Sequence, residues 1–264
     1  MSRTVTRPGA GPLLREWRRR RHLSQLDLAL EANVSARHLS FIETGRARPS
    51  AEMLLHLSEQ LEIPLRERNA LLLAAGHAPA YAQRELDAPE LGPVRDALDR
   101  VLAGHAPNPA LVVDRHWGLV AANASTDLLT AGAAPHLLEP PVNVLRLSLH
   151  PEGVAPRIAN LPEWRAHLLD RLGREAVAGG DPALAALHEE LAGYPGGGTA
   201  VAPDLEAGAI AVPLRFRHGD AGLAFISTVT TFGTAVDVTV SELSIESFFP
   251  ADAATAAAVR ELAR

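Results

Sequence analysis

LSQLDLALEANVSARHLSFIETG, residues 23–45, reads as two short helices joined by a tight turn. Ser24 is placed to cap the first helix and Ser35 the second, since a serine hydroxyl accepts from the unpaired N–H groups of a first helical turn. Gly45 stands where a left-handed residue ends the second helix. Ala32-Asn33-Val34 forms the turn. A pair of helices in this order places the second one to enter the major groove of DNA. At about 100° per residue, Leu39 and Ile42 define its buried side. The opposite side carries Arg37, Ser40, Phe41 and Thr44, with Ser35 and Ala36 at its N-terminal edge. Arg37 lies outward in the first turn, where a guanidinium can bond guanine O6 and N7 together. Arg46 and Arg48 follow Gly45 and are placed to hold phosphates, as is Gln25 at the start of the preceding helix.

Outward from this pair, residues 1–76 read as a five-helix, all-α module. One helix spans about Pro12 to Arg21, with Leu13, Leu14 and Trp17 on one side. Ser50 caps a fourth helix, and Pro64 opens a fifth that Gly76 closes. Residues 77–89, with Pro79 and Pro89, read as a linker. Residues 90–264 make an α+β domain. Short strands are expected at Ala110–Asp114 and Gly118–Ala122. Helical segments follow at Asn123–Thr130, Val142–Leu149, Pro162–Ala178 and Pro182–Leu191. Alternation then predicts strands through Ile210–Phe216, Gly222–Phe232 and Val236–Val240, with helices from Ser241 and Ala251. Two strands, several helices and three more strands is the order of a PAS-like domain with a roughly five-stranded antiparallel sheet around a small cavity. The chain is therefore α+β overall.

The motif resembles the phage-repressor-like (XRE) helix-turn-helix family in Ser24-Gln25, Val34-Ser35 and Ile42-Glu43-Thr44-Gly45. That resemblance implies an ion pair between Arg18 on the first helix and Glu43. A sharper likeness covers nearly the whole chain. It is carried by residues 38–50 and 64–76, Pro109–Asp114, Ala121-Ala122-Asn123, the region from Asn143 to Trp164, Phe232-Gly233-Thr234 and Glu246-Ser247-Phe248-Phe249-Pro250. These residues are similar to the regulators with a MmyB-like ligand-binding domain. The resemblance implies a PAS-like C-terminal domain and a small apolar effector of fatty-acid-like type.

Charge distribution agrees with a DNA-binding first half. The chain of 264 residues carries a net charge of −6, yet residues 1–85 hold 13 arginines against 9 acidic residues, and the remainder 12 against 22. A basic module is thus attached to an acidic one. The absence of cysteine excludes disulfides and cysteine-ligated zinc, and agrees with a reducing cytoplasm. No run approaches the roughly 18 apolar residues of a membrane span, and no secretory leader is legible. The expected localisation is cytoplasmic, the expected partners a double-stranded DNA operator, a small-molecule effector and a second copy of the chain, with no membrane.

Asn143, Arg146, His150, Asn160, Trp164 and His167 combine polar and aromatic groups with apolar helices, the mixture a ligand pocket uses. The competing use is a core Trp164, an Arg146 paired with a carboxylate, and caps. The histidines of the second half, His136, His150, His167, His188 and His218, are far apart and form no metal motif, so neither a metal nor a cofactor is expected. Gly196-Gly197-Gly198 lacks the lysine and helix of a phosphate loop and reads as a connection. No nucleophile motif appears, so the expectation is a regulator and not an enzyme. The rival reading is a protein-interaction regulator whose second domain only dimerises; a pure interaction module would enrich no DNA motif.

Overall fold

The structure, a computed structural model, describes residues 9–197, 212–219 and 221–263. The chain divides into two compact units. One runs to Glu85 and includes Thr234–Ser241; the other comprises Leu86–Gly233 and the residues from Glu242 onward.

The first unit contains α1 (Ala10–Arg20), α2 (Gln25–Glu31), α3 (Ala36–Glu43), α4 (Ala51–Gln60) and α5 (Leu65–Ala74). Caps fix their starts. The Ser24 hydroxyl accepts from Asp27 N–H while the Asp27 carboxylate accepts from Ser24 N–H, a reciprocal box. Ser35 accepts from His38 N–H and Ser50 from Met53 N–H. Asn33 in the turn and Gly45 after α3 have φ of 52° and 72°, so both reverse the chain in the left-handed region. Leu14, Trp17, Leu28, Leu39, Ile42 and Leu57 close over one another as the core. Gly11 lets α1 lie against the end of α3, because a β-carbon there would overlap the carbonyl oxygen of Ile42.

Residues 77–85 of the expected linker are pinned inside this unit. The Asn69 carboxamide accepts from the N–H groups of Ala80 and Tyr81 and donates to Tyr81 O at 2.7 Å. Arg84 Nη1 meets the buried Asp237 at 2.9 Å, and Val238 N–H donates to Ala82 O. The strand expected at Val236–Val240 is instead a turn followed by a short helix, α11 (Val238–Ser241). Asp237 explains the difference. Its carboxylate accepts from Thr239 N–H at 2.9 Å and its carbonyl from Ser241 N–H, so a side-chain cap overrides the alternating valines.

In the second unit, α6 (Gly92–His105) precedes β1 (Ala110–Val113) and β2 (Leu119–Ala122). Then come α7 (Asp127–Thr130), α8 (Val144–Leu149), α9 (Leu161–Gly179) and α10 (Pro182–Ala192). β3 (Leu214–His218), β4 (Ala221–Thr231), β5 (Ser244–Pro250) and α12 (Ala253–Leu262) complete it. The five strands form one antiparallel sheet in the order β2-β1-β5-β4-β3. The expected strand at Ile210–Phe216 begins at Leu214, its first residues lying outside those described.

The expected helix from Ser241 is wrong. The chain forms β5 there, the central strand, paired with β1 on one side and β4 on the other. Ile245, Phe248 and Phe249 have the branched or aromatic side chains that suit a strand, and two flanking strands satisfy its backbone. Ile245 packs with Leu98 and Leu102 of α6 on one face of the sheet. Phe248 joins the larger core on the other face, with Trp164, Leu168 and Leu172 of α9.

Candidate nucleic-acid interface and ligand cavity

α3 presents the face expected of a base-reading helix. Leu39, Ile42 and Glu43 are buried; Arg37, His38 and Thr44 are exposed, and Ser40 and Phe41 half-buried. The Arg37 guanidinium lies over the Phe41 ring, 5.4 Å from its centroid, which orients the cation along the outer face. Ser35 spends its hydroxyl as the cap, and the Thr44 hydroxyl donates back to Ser40 O at 2.7 Å. Both oxygens retain lone pairs that can accept. Arg46 is exposed beyond Gly45. Arg48 is turned away from its expected phosphate role: its Nη2 and Nε donate to Ala75 O, at 3.0 and 3.2 Å, tying the loop to the end of α5.

A buried ion pair holds α3 in place. Arg18 Nε and Nη2 donate to the two oxygens of Glu43 at 2.6 and 2.8 Å, and Arg18 Nη1 reaches Leu23 O. Gln25 Nε2 donates to Glu43 Oε2 at 2.8 Å, so the side chain expected at DNA is half-buried in this network. Burial works against the Glu43 charge, but the Arg18 and Gln25 hydrogen bonds prevail and hold its pKa below the usual carboxylate range. The neighbouring arginines are largely engaged within the unit. Arg20 pairs with Glu16 and stacks on Trp17, and Arg21 Nε donates to Leu61 O. The basic run is therefore mainly scaffold.

The second unit holds a partly open apolar cavity of about 80 Å³ between the sheet and helices α7, α8 and α9. Leu111, Leu119, Leu145, Leu147, Trp164 and Phe248 are among its walls. Four polar residues interrupt them: Thr126, Thr130, Ser148 and Glu246. Glu246 is the charged one, on β5, and only 5% exposed. Its nearest cation, Arg171 of α9, stands at 3.7 Å, beyond a normal hydrogen bond. Arg171 is itself divided between Glu175, at 3.1 Å, and the face of Trp117. Burial raises the pKa of Glu246, with Arg171 opposing.

Of the six pocket residues expected from sequence, Trp164 alone lines the cavity. Its indole N–H donates to Ser148 Oγ at 3.3 Å. Asn143 caps α8 through Arg146 N–H and bonds His116 O. Arg146 forms a bidentate pair with Glu190 at 2.7 Å. Through that pair Arg146 holds Glu190 down to about 2; Tyr194, which donates to the same carboxylate, is pushed up to about 12 by burial first. Asn160 straps β3 to the start of α9, accepting from Arg215 N–H and donating to Pro213 O. His167 lies against Trp164 with its pKa lowered, chiefly by burial. His150 sits edge-on to His136 and Tyr194 at the end of α8.

The polar lining residues Thr126, Thr130, Ser148 and Glu246 were all missed, and Glu246 is the charged one among them. An acid between Ile245 and Phe248 signals an inward charge only once the segment is read as a strand, and the helical reading hid it.

Residues 94–262 match the family described as MmyB-like transcription regulator ligand binding domain, and residues 14–68 match a helix-turn-helix family. A comparison with curated proteins finds no match. Among the described residues, no helix is long and apolar enough to cross a membrane.

Proposed function

The chain belongs to the MmyB-like transcription regulators, and on that premise we propose that it is a cytoplasmic, homodimeric regulator whose operator affinity is set by a small apolar effector. The first unit is a DNA-binding helix-turn-helix and the second a ligand-binding domain. The apolar cavity with one buried carboxyl, Glu246, in its wall is the observation that carries the finer reading. An apolar lining with a few placed polar groups is what binds and orients a small ligand.

Size shapes the mechanism. The cavity is about 80 Å³, roughly half of the 150 Å³ that accepts benzene in an engineered apolar cavity. A long acyl chain, the fatty-acid-like effector that the family resemblance implies, would have to part α7 and α8 from the sheet. A ligand that binds only the opened form shifts the population toward it, and regulation follows if the two forms differ in DNA affinity. The acidic surplus after residue 85 repels DNA and leaves the arginine-bearing α3 face to dock. Homodimerisation would supply two recognition helices for two half-sites.

Native against denatured mass spectrometry of the purified chain tests the effector. A releasable apolar mass is expected in the wild type and should be absent from Val144→Phe, which fills the cavity. An adduct retained by that variant would place the ligand elsewhere.

A further inference from the structure

Outside the cavity, the second unit gathers three side chains that ligate metals. His136 lies in a 3-10 turn, Pro135–Leu137; His150 follows α8, and Glu152 comes two residues later. One ligand atom of each falls within 4.8 Å of the others, and His136 Nε2 is 4.0 Å from Glu152 Oε2. The sequence distance between the two histidines conceals a proximity that the fold creates. Backbone hydrogen bonds hold the segments together. Ala134 N–H donates to Glu152 O at 2.8 Å, Gly153 N–H to His150 O at 2.9 Å and Val154 N–H to Leu147 O at 2.9 Å. The backbones are thus fixed relative to one another, while the His136 and Glu152 side chains, 57% and 67% exposed, can rotate.

We propose that His136, His150 and Glu152 bind a divalent transition cation, with Zn²⁺ the best fit. Zinc takes imidazole nitrogen and carboxylate oxygen at about 2.0–2.2 Å, which places tetrahedral neighbours about 3.4 Å apart. The three groups need to close by only about 0.5–1.5 Å to reach that spacing, and water fills the remaining position. Two imidazoles and one carboxylate favour zinc over calcium or magnesium, which take oxygen. His150 Nδ1 now accepts from Glu152 N–H at 3.1 Å. Ligation through Nε2 moves the ring proton to Nδ1 and releases that exposed amide to water. The ion would tie the 3-10 turn to the end of α8, whose Val144, Leu145, Leu147 and Ser148 wall the cavity.

Calorimetric titration of Zn²⁺ into the metal-stripped full chain tests the site independently of any effector. One equivalent should bind. His136→Ala, His150→Ala and Glu152→Gln should each weaken binding at least about tenfold, while His188→Ala leaves it unchanged. Thermal melts without metal identify each variant as folded, and added Zn²⁺ should raise the melting temperature of wild type but not of His136→Ala. The proposal fails if the wild type binds no stoichiometric zinc, if binding survives all three ligand substitutions, or if His188→Ala abolishes it.

Discussion

At the scale of single residues, we propose different work for Arg37 and Arg46. Arg37 lies on the outer face of α3, steadied by Phe41, where a guanidinium meets base edges. Arg37→Ala should cost about 1–3 kcal/mol on the preferred operator and relax selectivity at one base position. Arg46→Ala should weaken binding on every sequence and lower the salt slope by about 1, as loss of one phosphate contact does. Anisotropy titrations at several salt concentrations separate the two, and identical sequence-blind losses would contradict the assignment. Glu246 makes a prediction of opposite kind. Its pKa is raised in the folded chain, chiefly by burial. Such a carboxyl contributes stability that is fully present below its unfolded pKa and lost as pH rises through the folded value. Glu246→Gln removes that loss, so the variant-minus-wild-type difference in melting temperature should rise from pH 4 to pH 8. A flat or falling difference would count against it.

At the scale of elements, the placement of α3 depends on the Arg18–Glu43 pair and the close passage of α1 at Gly11. Breaking a buried pair strands an uncompensated charge, which costs about 3–5 kcal/mol. Arg18→Met should therefore lower unfolding stability by roughly that amount in urea titrations, and a change under 1 kcal/mol would show that α3 is held by packing alone. The five helices of the first unit were legible because serine caps, Gly45 and the leucine spacing are local signals that agree with one another. The sheet was legible in part. β1, β2 and β4 show themselves through branched residues and turns, whereas β5 owes its state to strands on both sides, which local sequence cannot display. Val236–Val240 misled in the other direction, because alternation there is overruled by Asp237. The cavity was least legible of all. Asn143, Arg146 and Asn160 are polar because they cap, pair and strap, and the inward groups come from β5 and the short helices, far apart in the chain.

At the scale of the whole molecule, the basic first unit and the acidic second unit divide the labour between docking and sensing. In the function proposed above, α3 reads a DNA sequence. Selection of bound duplexes from a random pool by the full chain tests it most directly. One enriched motif is expected, arranged as two half-sites a helical turn or a multiple of it apart. That motif should bind at least about 10³-fold more tightly than unrelated duplex, and the preference should fall in Arg37→Ala. A pool that enriches no motif, or binding equally tight to every duplex, would contradict it.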